Sequence, residues 1–269
     1  MWGVFRLPTC LFTLTTSESK RLLGRAVAHM ASVQQALRHG RLIIAGGTTN
    51  AYVLEELTGQ TIDKGNYTAG LISQGVPCVT DLKTRQAPAV FVQGERVELP
   101  WNEVIRDFTA DDVLIKGANA FDLTGNAGIL LGGSNGGTIG QAIGYMAASG
   151  AHLIMPIGME KLVPDVIAAS AVMGQSKIDQ HYGMACGLFV VNTGQIITEV
   201  EALDAMFAVD ATVVAAGGVG DSEGAITLAV QGDADKLSEV MQLVKELKKE
   251  PRLTAQKRSC VECSAPCDH

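Results

Sequence analysis

The sequence predicts an α/β fold, a parallel sheet flanked by helices, joined to a second, smaller α+β domain. Three observations lead there. Short apolar runs rich in β-branched residues recur at Leu42-Ile43-Ile44-Ala45, Val113-Leu114-Ile115, Ile129-Leu130-Leu131 and His152-Leu153-Ile154-Met155-Pro156-Ile157, as in strands buried on both faces of a parallel sheet. Two of these runs lead directly into a glycine-rich turn and then a helical pattern. After Gln175 the order becomes strand, helix, strand, hairpin strand, helix, which is that of a small α+β unit. The expected division is residues 1–180 as a ligand-binding domain carrying the glycine turns, 181–250 as the small domain, and 251–269 as a cysteine-rich tail, with the boundary near 175–186.

The elements follow in order. Residues 1–16 are apolar but broken by Pro8 and several threonines, with no small-residue cleavage site after them, so they read as an N-terminal arm or an edge strand rather than a signal peptide. Residues 17–39 have helical periodicity, with Leu22, Leu23, Val27, Met30, Val33 and Leu37 on one face and Gly40 as the stop. The strand at 42–45 runs into Gly46-Gly47-Thr48-Thr49-Asn50 and a helix over 51–57 that ends at Gly59. Residues 63–75 are polar and turn-rich; a hairpin is expected around Gln93-Gly94-Glu95, and a short helix over 101–108. The strand at 113–115 follows, then the strand at 129–131, the turn Gly132-Gly133-Ser134-Asn135-Gly136-Gly137-Thr138 and a helix over 139–148. Beyond the strand at 152–157 lie a loop at 159–164 and a helix over 165–173. In the last part, strands are expected at 187–192, 211–216 and 225–231, and helices at 199–208 and 234–249.

Composition narrows the function classes. Of 269 residues 47% are hydrophobic and 18% charged, an ordinary globular balance, and the net charge of −7 supplies no basic field for nucleic acid. No apolar run reaches the roughly 18 residues of a membrane-spanning helix. Six cysteines without disulfide-framework spacing suit a reducing, cytoplasmic home. The expected partner is a small anionic metabolite, with no nucleic acid and no membrane; a homo-oligomer is compatible.

The glycine turns carry the main chemical signal. A strand, a glycine-rich turn and a helix N-terminus together present unpaired backbone N–H groups and the positive end of the helix dipole, which suit phosphate or carboxylate. Candidate ligand-binding residues are Gly46, Gly47, Thr48, Thr49 and Asn50 in the first turn, and Gly133, Ser134, Asn135, Gly136, Gly137 and Thr138 in the second. Thr48, Thr49 and Asn50 also suit plain helix capping. Lys116 is placed to neutralise a phosphate, joined by Asn119 and Lys161. Asp122 either holds a ligand hydroxyl or caps the loop Leu123-Thr124-Gly125-Asn126, and His181 is the histidine placed to serve as a general base. His29 and His152 read as structural.

In sequence order, these segments resemble a known superfamily. Ala36-Leu37-Arg38-His39-Gly40-Arg41-Leu42-Ile43-Ile44-Ala45-Gly46-Gly47-Thr48-Thr49 is similar to the opening of ribose-phosphate isomerases and of sugar-phosphate-sensing regulators of the DeoR type. Lys116-Gly117-Ala118-Asn119-Ala120-Phe121-Asp122 resembles the isomerases' central loop, Gly136-Gly137-Thr138 their glycine run, and Met159-Glu160-Lys161-Leu162-Val163 their Asp-Glu-Ser-Lys-Leu-Val. The resemblance implies a Rossmann-like parallel sheet of the glucosamine-phosphate deaminase, ribose-phosphate isomerase and CoA-transferase superfamily, and a phosphorylated or CoA-like ligand. The chain departs from the pattern where chemistry is concerned. Lys116 and Asn119 stand where the isomerases keep carboxylates, and the helix after the second turn carries Gln141 and no carboxylate. Proton transfer between sugar carbons needs a base within hydrogen-bond reach, which Gln141 cannot supply. The glutamate nucleophile of the CoA-transferases is also missing. Binding of the metabolite by a divergent member, or a chemistry unlike the family's, is therefore expected and turnover stays open, the alternative being a sugar-phosphate isomerase with its base moved to Asp122 or His181.

The tail is a second signal. Cys260, Cys263, Cys267 and His269, spaced C-x2-C-x3-C-x-H, supply enough soft ligands for zinc or an iron–sulfur cluster, or else form a disordered or redox-active appendage. Two helices and a linker separate the tail from the glycine turns, so it need not share their function, and it is expected to lie outside both cores.

Overall fold

The computed structural model describes residues 7–263 and Cys267. Within the described part of the segment read as an arm or edge strand, β1 (Thr9–Leu14) is an edge strand; residues 1–6 lie outside the described residues. Helix α1 (Thr16–His29) opens on a capping box between Thr15 and Glu18. The single helix expected over 17–39 is two, because Met30 is extended (φ −59°, ψ 136°) and α2 (Ala31–His39) starts afresh. No glycine or proline marks that break; Gln34 Nε2 donates to Ala28 O (2.7 Å) across it and serves a carbonyl the interrupted helix leaves open.

Strand β2 (Arg41–Ile44) leads to α3 (Thr48–Thr58), which stops at left-handed Gly59. The segment read as polar turn contains a further hairpin, β3 (Gly70–Ser73) with β4 (Val76–Val79). Strands β5 (Ala89–Val92) and β6 (Glu95–Val97) form the expected hairpin through Gln93 and Gly94, both at positive φ, as its tight turn requires. Then come the short α4 (Trp101–Val104), β7 (Val113–Ile115), β8 (Ala120–Phe121), β9 (Ala127–Leu131), α5 (Gly137–Ser149) and β10 (His152–Pro156). A 3-10 turn at Met159–Lys161 precedes α6 (Val166–Val172), capped by Asp165. The chain ends through β11 (Gly187–Val191), β12 (Gln195–Ile197), α7 (Glu199–Phe207), β13 (Asp210–Gly217), β14 (Ala225–Gln231) and α8 (Ala234–Leu247).

The architecture is mixed α/β. The central sheet has the order β12-β10-β7-β2-β5-β6; its first four strands are parallel, and β5 and β6 are antiparallel. The sheet expected to be parallel is thus mixed at one edge. Its inner strands divide their side chains between two cores by simple alternation. Leu42, Ile44, Val113, Ile115 and Ile154 face one core with α1, α2, α3 and α7, while Ile43, Leu114, Leu153 and Met155 face the other with α5 and β9. Burial on both faces explains the unbroken apolar runs, each such Leu or Ile contributing about 1.5–3 kcal/mol.

Residues 129–131, expected in the same parallel sheet, lie elsewhere. Strand β9 pairs antiparallel with β8 and β11 in a separate three-stranded sheet. The reason is length: five residues between β8 and β9 close a hairpin but cannot make the crossover that a parallel neighbour needs. A third sheet, β1-β14-β13, packs with α7 and α8. Strands cross residues 175–186 in both directions, since β1 joins β14 and β12 extends the central sheet beside β10. No helix of the described residues is long and apolar enough to cross a membrane.

Candidate functional site

The parallel strands β2 and β7 end in register, with Ile44 beside Ile115, and β10 runs two residues further past Ile154, which lies beside Ile115. The segments that leave those ends, residues 45–50, 116–119 and 157–161, therefore emerge at one edge, as expected for a ligand cleft on a parallel sheet. An open cavity of about 1670 Å³ lies there.

The first turn is held from below. Tyr67 OH donates to Ile44 O (2.6 Å) and accepts from Ala89 N (2.9 Å), while Gly47 N donates to Tyr67 O (2.8 Å). Asn50, fully buried, donates through Nδ2 to Ala45 O (2.8 Å) and Ile115 O (3.4 Å), tying the ends of β2 and β7 together. The plain capping alternative does not hold, because the N-cap is Gly47 and no side chain caps α3, so the amides of Thr48, Thr49 and Asn50 stay open at the helix start.

The second turn has the same character. Gly136 is the left-handed N-cap of α5 (φ 74°), where a β-carbon would also meet Gly140 Cα at 3.1 Å, and this N-cap residue offers no capping side chain. Asn135 Oδ1 accepts from Gly137 N (3.1 Å), which fixes the turn.

Of the residues expected to bind ligand, Gly46, Gly47, Thr48, Thr49, Asn50, Lys116, Asn119, Gly133, Gly136, Gly137, Thr138 and Lys161 line the one cavity. Ser134 and Asn135 do not; they sit exposed on the outer side of the turn. Asp122 and His181 do not line it either. The Asp122 carboxylate accepts from Thr124 N and Oγ1, Asn126 N and Nδ2, and Val166 N, so it is the keystone of the β8–β9 loop and the start of α6. Those hydrogen bonds, Thr124's first, hold its carboxyl well below the usual range, which makes it a weak base. His181 Nδ1 lies 2.8 Å from Gly183 O in its own loop. Gln141, on the exposed side of α5, donates to Gly137 O (3.2 Å).

The electrostatics of the cavity are opposite to those of the chain. Among the described residues the wall carries Lys20, Arg85, Lys116, Lys161, Arg252, Lys257 and Arg258 against one carboxylate, Glu160, although the whole protein has a net charge of −7. Burial and then the neighbouring Lys161 ammonium push Lys116 down to about 8; burial above all pushes Lys161 down to about 8, with Lys20 adding to it and Glu160 opposing. A second crowded pair lies further along, where burial and then Arg258 hold Arg85 below its usual value. Lys161 Nζ donates to Ala118 O (2.8 Å), and Lys20 Nζ lies 3.4 Å from Glu160 Oε1. Lys116 Nζ has no hydrogen-bond or carboxylate partner among the described residues. Two buried side-chain acceptors there lack a donor, Asn50 Oδ1 and Glu160 Oε2, and both residues belong to this wall.

The tail is not apart from the glycine turns. Arg258 N donates to Val79 O (2.8 Å), and Cys260, Cys263 and Cys267 line the same cavity together with Cys78. Lys257 Nζ lies 2.8 Å from Cys260 Sγ. His269 lies outside the described residues, and among those described no group of three His, Cys, Asp or Glu is arranged to hold a metal ion. Lys20, Arg85, Arg252 and the tail cations escaped sequence reading because each comes from a different element with no periodic or motif signal. Compared with known proteins, the chain matches no family model, no curated protein and no solved structure.

Proposed function

We propose that this protein binds a small anionic metabolite, phosphorylated or CoA-like, in the cleft between its two glycine-rich turns. The observation that carries the reading is Lys116, a cation without a counter-ion on a cavity wall that also holds the uncapped starts of α3 and α5. Helix N-termini and lysine favour the same ligand charge, and a bound anion relieves the repulsion between Lys116 and Lys161. The Arg85 and Arg258 pair gives a longer ligand a second anionic contact within the same 1670 Å³. The superfamily resemblance and its Rossmann-like core belong to this proposal; their support is that the four resembling segments, through residues 46–49, 116–119, 136–138 and 160–163, meet at one cavity. Isomerase chemistry is not part of it, because Asp122 is consumed by its loop and no carboxylate stands on α5.

A thermal-shift panel tests the proposal, with inorganic phosphate, sugar phosphates and coenzyme A set against their uncharged analogues. A site ligand at 100 times its dissociation constant adds about 2.7 kcal/mol of stability. Stabilisation by the phosphorylated members alone is expected. Equal shifts with the uncharged analogues, or none with any member, would reject it.

A further inference from the structure

We propose that Lys116 is a nucleophile that forms an imine with a phosphorylated aldehyde or ketone seated on the two glycine turns. The inference rests on the anion-binding reading above and adds a covalent step to it. Lys116 stands at the end of the central strand β7, where its backbone is fixed by Lys116 N donating to Ile154 O (2.9 Å) and by Ala45 N donating to Ile115 O (3.0 Å). Its ammonium has no partner among the described residues, whereas the neighbouring Lys161 is tied to Ala118 O. Nothing in the fold uses Lys116 as a strut. Lys116 is half-buried, and a lysine partly withdrawn from solvent beside a second cation is the usual form of an activated amine, because both effects favour the unprotonated, nucleophilic state. At about 8, roughly a tenth of Lys116 is unprotonated at pH 7, against well under a thousandth for an ordinary lysine.

The step balances without a further reagent. The neutral Nζ attacks the carbonyl carbon, a C–N bond forms, and the carbonyl oxygen gains a proton to give a carbinolamine. That hydroxyl then leaves as water with the nitrogen's second proton, and the neutral imine that remains takes up a proton from solvent. Holding the phosphate on the helix starts fixes the carbonyl near the amine, which converts a bimolecular encounter into a local one.

The experiment treats the full chain with dihydroxyacetone phosphate and borohydride at pH 7.5, with dihydroxyacetone as the uncharged control, and maps the reduced adduct by peptide mass spectrometry. The expected result is one adduct per chain on the peptide holding Lys116, at least tenfold more with the phosphorylated probe, and lost in Lys116→Arg. Inorganic phosphate binding, followed by thermal shift on both proteins, separates the two levels. Phosphate binding without an adduct at Lys116, or labelling spread over surface lysines and unchanged in Lys116→Arg, overturns the imine and leaves the anion site standing. Failure of phosphate to bind the wild-type protein overturns both. Peptide mapping on the wild type is decisive even if the variant folds poorly.

Discussion

Replacing Lys116 by methionine keeps most of the side chain's length and removes its charge, so the structure fixes both the sign and the size of the effect. The ordinary lysine value of 10.5 falls to about 8 in the folded protein, through burial first and Lys161 second. Between those values the unfolded chain holds a proton that the folded one has released, so folding stability rises with pH across that window. The penalty is therefore fully present below pH 8 and gone above about 10.5. The distance from 10.5 to about 8 corresponds to about 3 kcal/mol, an upper figure because Lys116 keeps some contact with the open cavity. Lys116→Met is expected to be more stable than wild type at pH 7 by up to that amount, or by roughly 5–10 °C in Tm for a chain of this size. Its advantage should shrink steadily toward pH 10.5. The same change should weaken inorganic phosphate binding by roughly 10–100-fold, the loss of one charge-assisted contact. Urea unfolding at pH 7 and pH 10.5, with and without phosphate, reads all three quantities. A variant less stable than wild type at pH 7, or one whose stability difference is the same at both pH values, would refute the reasoning.

Three other outcomes follow from the same geometry. Gly24→Ala places a β-carbon 2.7 Å from Tyr52 Cβ and 3.0 Å from its backbone carbon, so α1 and α3 must separate; a loss of about 1–3 kcal/mol is expected in urea unfolding, and an unchanged midpoint would show that the contact yields freely. Sulfate, whose charge is constant over this range, should bind roughly tenfold more weakly at pH 9.5 than at pH 7, because the protonated lysines bind it and Lys116 and Lys161 lose their protons through about 8. The other charged groups on that part of the wall are Lys20 and Glu160; calorimetry showing pH-independent affinity would remove the two lysines from the site. Ribose 5-phosphate isomerisation should stay below about 1 per second, since α5 presents Gln141 in place of a carboxylate; a faster turnover would mean that a base acts from the cavity wall.

Local order was legible in the sequence, and its assembly only in part. The strand, turn and helix units at 42–58 and 129–149 were readable because apolar runs, glycines and helical spacing are all local signals. The sheet membership of β9 was not legible, because its hairpin partner β8 is only two residues long and carries no strand signal of its own. The break at Met30 left no trace, because neither residue beside it disfavours helix strongly. Half of the site followed from glycine turns alone. Its cations did not, since Lys20 rides on α1, Arg85 follows the β3–β4 hairpin, and Lys257 and Arg258 arrive with a tail expected elsewhere. Asp122 shows the reverse case, where a residue prominent in the motif serves its own loop, as the Asx alternative had allowed.

The most direct measurement is an experimental structure determined with inorganic phosphate present. The expected result is a phosphate within hydrogen-bond distance of the amides of residues 48–50 or 138–139 and of Lys116 Nζ. Phosphate bound only outside the cavity, or a cavity empty at saturating concentration, would contradict the anion site on which the functional reading stands.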